Sequence, residues 1–338
     1  MTEKAALTYK DFSSDQEVRW CPGCDDYVIL RAVQMAMPEL GVKKENIAFI
    51  SGIGCSSRFP YYMETYGFHG IHGRAPALAS GLKLANPELS VWQITGDGDA
   101  LAIGGNHFIH QLRRNLDINV ILFNNEIYGL TKGQFSPTSD LSLKTKSSPY
   151  GNLHRPFSVG ELVLGARGTF FARGPGGNPK YMKQLFIDSA KHKGTSMIEI
   201  FQNCVIFNDG VFDEFLDKKV ADDTLLMLEH GKPMIFGKES NKGLVLDGLK
   251  LKVVTIGEDG VTEDDILVHD AHAEDPTLHN MLVRMTAPDF PVAMGIIRQV
   301  EEETFEEKVG RLIQGIKERS KFKKVDDLLY SGETWMIE

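Results

Sequence analysis

The stretch 89–130, LSVWQITGDGDALAIGGNHFIHQLRRNLDINVILFNNEIYGL, restricts the fold more than any other part of the chain. An apolar run at 89–99 is predicted to be a strand, a helix opens near Asn106, and a second strand fills 118–125. In a parallel strand–helix–strand unit both strands finish at the same sheet edge, so the loops that follow them meet there. Gly96, Asp97 and Gly98 stand at the first loop. Asn124 and Asn125 close the second strand, Asn125 lying 28 residues beyond Asp97. The spacing thus predicts a carboxylate from one loop beside an amide oxygen from the other.

The same alternation extends from residue 27 to about 204. NIAFISG at 46–52 and TSMIEIFQ at 195–202 read as buried strands, and APALASGLKLA at 75–85 and PKYMKQLFIDSAKHK at 179–193 as helices. TFFARG at 169–174 follows a helical turn, after a Gly/Pro/Ser-rich connection over 129–157 whose part from 132 is long enough to serve as a lid. Continuous apolar strands alternating with helices predict an α/β fold, a mostly parallel sheet with helices on both faces. Beyond Cys204 the texture changes to antiparallel hairpins with NKG and LDG turns, then a helix where Val309, Leu312, Ile313 and Ile316 share a face. Residues 1–204 therefore read as the main domain and 205–338 as a C-terminal extension packed on it.

A net charge of −9 and the lack of any long Lys/Arg run argue against a nucleic-acid partner. No stretch approaches the ~18 apolar residues of a membrane span. The first twenty residues carry no apolar core, so no secretory signal is expected. Four cysteines in 338 residues make a poor disulfide framework and suggest a reducing, cytoplasmic setting.

Oxygen ligands gathered at a sheet edge suit Mg²⁺, which shares its octahedron with phosphate oxygens. Flanking glycines let backbone N–H groups approach those phosphates. Asp97 and Asn125, with a backbone carbonyl nearby at Ile127, are the candidate ligands for a metal diphosphate. A dinucleotide fingerprint is the rival, but Leu101 stands where its third glycine belongs. GIGCSS at 52–57 fails in the same place, and no acidic residue ends the next strand at the expected distance.

The run from GDG to NN resembles the thiamine-diphosphate motif. Together with NNEIYGLTKGQFSPT and HGRAPALASGLKLA, the stretch 17–205 is similar to the β subunits of 2-oxoacid:ferredoxin oxidoreductases, nearest their 2-oxoglutarate branch. The resemblance implies thiamine diphosphate and Mg²⁺ as cofactors. Ile53, Gly54, Cys55 and Ser56 would contact the cofactor, and Gly96, Gly98, Asp99, Gly129 and Leu130 would line the diphosphate. Lys132 would meet the substrate carboxylate, unless it is only an exposed loop lysine. His72 and Arg74 would meet phosphate or substrate, or else pack beneath the loop, and Arg58 is a weaker candidate of the same kind.

In that family the β subunit carries one [4Fe–4S] cluster on a CxxC and two distant cysteines. Cys21, Cys24, Cys55 and Cys204 occupy the matching places and are all the cysteines the chain has. Four thiolates suit zinc or an iron–sulfur cluster, and buried unliganded thiols are the third reading. Cys55 follows the strand at 46–52, beside the cofactor loops, which favours a group that carries electrons. The family usually has a glycine after the second cysteine, where this chain has Asp25. The implied reaction is CoA-dependent oxidative decarboxylation of a 2-oxoacid, reversible as carboxylation, with electrons passed singly to ferredoxin. The activating glutamate of the pyrimidine-binding domain has no counterpart here, so the resemblance implies a partner α subunit, in an α₂β₂ assembly. The same chemistry on pyruvate or branched 2-oxoacids, a thiamine decarboxylase or synthase with structural zinc, and a non-enzymatic zinc module are the alternatives.

Overall fold

The computed structural model describes residues 7–337. A first helix, α1 (Asp26–Ala36), follows the CxxC turn. Then come β1 (Ile47–Ser51), β2 (Tyr66–His69), α2 (Ala75–Ala85), β3 (Ser90–Gly96), α3 (Asp97–Leu101), α4 (Gly105–Arg114) and β4 (Ile118–Asn124). β5 (Ile127–Tyr128) and β6 (Gln134–Phe135) form a small antiparallel pair. α5 (Val159–Gly165), β7 (Phe170–Pro175), α6 (Pro179–Lys191) and β8 (Thr195–Phe201) complete the alternation. Past residue 204 lie α7 (Asp213–Leu216), α8 (Ala221–Thr224), β9 (Leu225–Leu228), β10 (Ile235–Phe236), β11 (Lys242–Asp247) and β12 (Lys250–Thr255). α9 (Thr277–Val283), β13 (Val292–Gln299), α10 (Phe305–Arg319) and α11 (Val325–Leu329) end the chain.

Eight strands form the main sheet in the order β2-β1-β3-β4-β8-β7-β13-β9. All neighbours run parallel except β13 against β7. Side chains alternate between the faces of each strand, and both faces are covered. In β4, Ile118, Val120 and Leu122 join α2 and α4 on one side, while Ile121 and Phe123 join α1 and α6 on the other. The mostly parallel sheet read from the sequence is the one observed. Two of its strands, β9 and β13, come from beyond residue 205, so the sheet runs across the change in texture.

Two local differences have clear causes. The GDG segment is no open loop: Gly96 caps α3, whose first turn holds Asp97 and Asp99. Acidic side chains in a first turn suit the positive end of a helix and outweigh the poor propensity of Gly98. The late helix α10 forms, capped by Thr304 and Glu307, which exchange hydrogen bonds. Only its first turn is docked, through Phe305 and the buried Glu306. Leu312, Ile313 and Ile316 on the expected apolar face are 60%, 46% and 54% exposed. Among the described residues, no helix is long and apolar enough to cross a membrane.

Candidate functional site

Because β2, β1, β3, β4 and β8 run parallel, the segments that follow them emerge along one edge of the sheet. They enclose two adjoining cavities, of about 480 and 240 Å³.

The larger cavity is floored by the turn after β3 and the start of α3. Asp97 is buried, and its carboxylate accepts hydrogen bonds from Ser136 Oγ and from Thr138 Oγ1, the latter at 2.6 Å. Burial raises its pKa to about 6, against the pull of those two hydroxyls. A buried carboxylate lifted in this way is an acid that a cation would hold ionised. Asn125 stands across from it, its Oδ1 accepting from Ile127 N–H at 3.2 Å. Asp97, Asn125 and Ile127 all line this cavity, as the sequence predicts. An anionic and an amide oxygen at a dry sheet edge fit a Mg²⁺ ion with a diphosphate. Beside them a Cβ at Gly98 would collide with the ring of Tyr128, whose hydroxyl donates to Gly98 O at 3.0 Å.

Ile53, Gly54, Cys55 and Ser56 line the same cavity, as do Gly96, Gly98 and Asp99, and Gly129 with Leu130. Asp99 is saturated rather than free to meet a ligand. One oxygen takes Ile53 N–H at 3.0 Å, Gly73 N–H at 2.7 Å and His72 Nδ1 at 2.8 Å, and the other takes Thr95 Oγ1 at 2.8 Å. It thereby ties the segments after β1 and β2 to the start of α3. Because a carboxylate only accepts, Nδ1 of His72 carries the proton, and Nε2 is left as the other ring nitrogen of a residue lining the cavity. Arg74 lines neither cavity; its Nη1 donates to Ile103 O at 3.4 Å.

All four cysteines line the smaller cavity. Gly23 adopts φ +85°, and Cys24 N–H closes the CxxC turn on Cys21 O at 3.1 Å. Trp20 Nε1 donates to Cys55 O at 2.7 Å, which brings the segment after β1 against that turn. Asp25 turns inward, its carboxylate accepting from Asn203 N–H at 3.0 Å, and so holds the Cys204 segment onto the same turn. Burial pushes the Cys55 thiol up to about 12, with the charges of Asp26, Cys204 and Cys21 adding to it, and lifts Cys24 higher still. Clustered thiols in so unfavourable a setting fit a site whose metal converts them to thiolates. Among the described residues no group of three His, Cys, Asp or Glu side chains is placed to hold a single ion. Four thiols lining one cavity are a donor set that suits an iron–sulfur cluster or zinc.

Arg58 and Lys132 also line this smaller cavity, Lys132 at φ +77°, and Lys132 does not line the larger one. Six residues line both: Asp26, Cys55, Asn125, Gly129, Leu130 and Gln202. Reading the sequence missed Tyr128, Asp26, Gln202, Ser136 and Thr138. Gln202 was within reach of the same logic, since it follows β8 at the edge where Asn125 follows β4.

Residues 52–200 match the family described as "Thiamine pyrophosphate enzyme, C-terminal TPP binding domain". The chain is 47% identical to the 2-oxoglutarate oxidoreductase subunit KorB of Mycobacterium tuberculosis, over 97% of this chain and 88% of that one. It is 41% identical to the 2-oxoacid:ferredoxin oxidoreductase 2 subunit beta of Aeropyrum pernix, over 64% and 70%. A solved structure of 2-oxoglutarate:ferredoxin oxidoreductase from Magnetococcus marinus, with 2-oxoglutarate, coenzyme A and succinyl-CoA bound, superposes with a TM-score of 0.77. That match has 29% identity and covers 98% of both chains. With one cavity lined by Asp97 and Asn125 and a second lined by all four cysteines on one sheet edge, the chain belongs to the 2-oxoacid:ferredoxin oxidoreductase β subunits, in their 2-oxoglutarate branch.

Proposed function

We propose that this chain is the thiamine-diphosphate-binding subunit of an oxidoreductase that converts 2-oxoglutarate and coenzyme A to succinyl-CoA and CO₂. Cys21, Cys24, Cys55 and Cys204 would hold a [4Fe–4S] cluster, which when bound would supply a one-electron path to a ferredoxin, and the reaction would be reversible as carboxylation. The observation that carries this reading is the wall shared by the two cavities, one fitted for a metal diphosphate and one ringed by every cysteine. When bound, thiamine diphosphate supplies the electron sink for decarboxylation.

The chain's own residues hold and orient. Asp97, Asn125 and the Ile127 carbonyl would take Mg²⁺, and the backbone around Gly96 and Gly98 the diphosphate. Ile53, Gly54 and Ser56 would pack along the cofactor, with Gly129 and Leu130 closing the side toward the thiols. His72, steered by Asp99, offers Nε2 to phosphate or substrate. Lys132 is proposed for the substrate carboxylate, approached from the rim between the cavities, with Arg74 supporting the loop behind His72. The glutamate that activates the pyrimidine ring would come from an α subunit in an α₂β₂ assembly. A reducing cytoplasm suits four unpaired thiols.

Anaerobic co-production with the α subunit tests the proposal. The complex should contain iron and sulfide, require Mg²⁺ and thiamine diphosphate, and reduce ferredoxin with 2-oxoglutarate and coenzyme A in preference to pyruvate or branched 2-oxoacids. Zinc without sulfide, or full oxidation of 2-oxoglutarate by this chain alone, would overturn it.

A further inference from the structure

Gln202, the first residue after β8, is 2% exposed and stands in the wall between the cavities. Its Oε1 accepts from Asn125 Nδ2 at 2.7 Å. Its Nε2 donates to Asn203 O at 2.6 Å and to Cys24 Sγ at 3.2 Å. Chemistry fixes the orientation of this amide: Asn203 O can only accept, so a flipped Gln202 would set oxygen against oxygen. With Gln202 so fixed, Asn125 must direct Nδ2 toward it and keep Oδ1 on the other side, where Oδ1 takes the Ile127 N–H. A continuous path of hydrogen bonds thus runs from the Cys24 sulfur through one buried amide to the Asn125 amide.

We propose that Gln202 is a positioning residue for both centres. It presents Asn125 Oδ1 to the cation, and it lends an N–H to the Cys24 thiolate. This rests on the reading that Asn125 is a metal ligand and Cys24 a cluster ligand. Hydrogen bonds to cluster sulfurs are among the terms that set a cluster's potential, because a donor stabilises the more negative, reduced form. One amide also serves both ends, so tightening at Asn125 is felt at Cys24, and the influence is reciprocal. Loading the larger cavity should therefore shift the midpoint potential of the cluster.

The test uses the complex co-produced anaerobically with its α subunit, in wild-type form and as two variants. Gln202→Met keeps length and bulk without donor or acceptor, and Gln202→Glu keeps an acceptor for Asn125. Midpoint potential is read by spectroscopically monitored redox titration, with and without Mg²⁺–thiamine diphosphate, and cofactor affinity by fluorescence titration. Gln202→Met should lower the potential, abolish its response to the cofactor and weaken cofactor binding by about fivefold, the worth of one hydrogen bond. Gln202→Glu should lower the potential while binding the cofactor within about twofold of wild type. A Gln202→Met complex with intact iron and sulfide but wild-type potential and affinity would overturn the proposal alone. If that variant fails to assemble, a wild-type potential in Gln202→Glu has the same force. A wild-type complex lacking iron and sulfide would remove the functional reading and this inference together.

Discussion

Asp97 is held in place before any cation arrives. Thr138 Oγ1 lies 2.6 Å from its carboxylate and 2.9 Å from the Asn124 side-chain oxygen, both of which accept, so one hydroxyl proton shared between them braces the ends of β3 and β4. Thr138→Val should leave the fold intact and weaken Mg²⁺-dependent thiamine diphosphate binding ten- to a hundredfold, as loss of an outer-shell partner does. Fluorescence titration at fixed Mg²⁺ checks it, and unchanged affinity would detach Thr138 from the site. Gly98→Ala should be more severe, because the added methyl runs into Tyr128 on the cavity floor. Calorimetric titration should find no cofactor binding up to the concentration that saturates wild type. That Asp97 and Asn125 meet in one cavity could be read from the sequence because they stand at the ends of two adjacent parallel strands. Ser136 and Thr138 could not, since hydroxyls 39 and 41 residues away in a polar loop carry no sign of where they fold back.

The connection between β6 and α5 shows how far an element can differ from its composition. Its Gly/Pro/Ser content suggests a free lid from residue 132. Instead its first part is inserted beneath the site, with Ser139 Oγ donating to Glu126 O and Ser136 Oγ to Asp97. Asn152 pins the second part: its Nδ2 donates to Ser139 O, Asp140 O and His154 O at 2.9, 3.2 and 3.2 Å. Asn152→Ala should release residues 140–157 and speed limited proteolysis there, while the remainder of the chain resists cleavage. Equal cleavage of both proteins would show that the loop is held by other means. Helices and strands with strong periodicity, such as α2, α6, β4 and β8, were predicted within a residue or two. The short edge strand β2 was not. At four residues it is too short for a periodic signal, its aromatics Tyr66 and Phe68 are exposed, and backbone pairing to β1 makes it a strand.

Over the full length, both ends of the chain depend on each other. β13 covers the edge of β7, and Leu226, Ala293 and Ile297 are fully buried in the core shared with α4 and α5. A chain ended at residue 204 would expose that edge and that apolar face together, and is expected to elute as aggregate in size-exclusion chromatography. A monodisperse, folded fragment would instead make 205–338 a separable extension. At the start of β7, His192 is buried and bonded to Thr169 Oγ1 at 2.9 Å. Burial depresses its pKa to about 4, against a small opposing pull from Asp117. The unfolded chain takes up a proton near pH 6.5 that the native protein refuses until about pH 4. This contribution to stability is therefore complete above pH 6.5 and declines as the pH falls toward 4. Urea midpoints at pH 7 and pH 5 should differ less in His192→Gln than in wild type.

The partition made of Asp26, Cys55, Asn125, Gly129, Leu130 and Gln202 belongs to strand ends and to the first turn of α1, parts of the rigid framework. On the proposed function, charge would cross it without any element having to swing, slide or dock. A viscous medium such as concentrated glycerol should leave that internal transfer at its normal rate and slow only the later handover to a diffusing carrier.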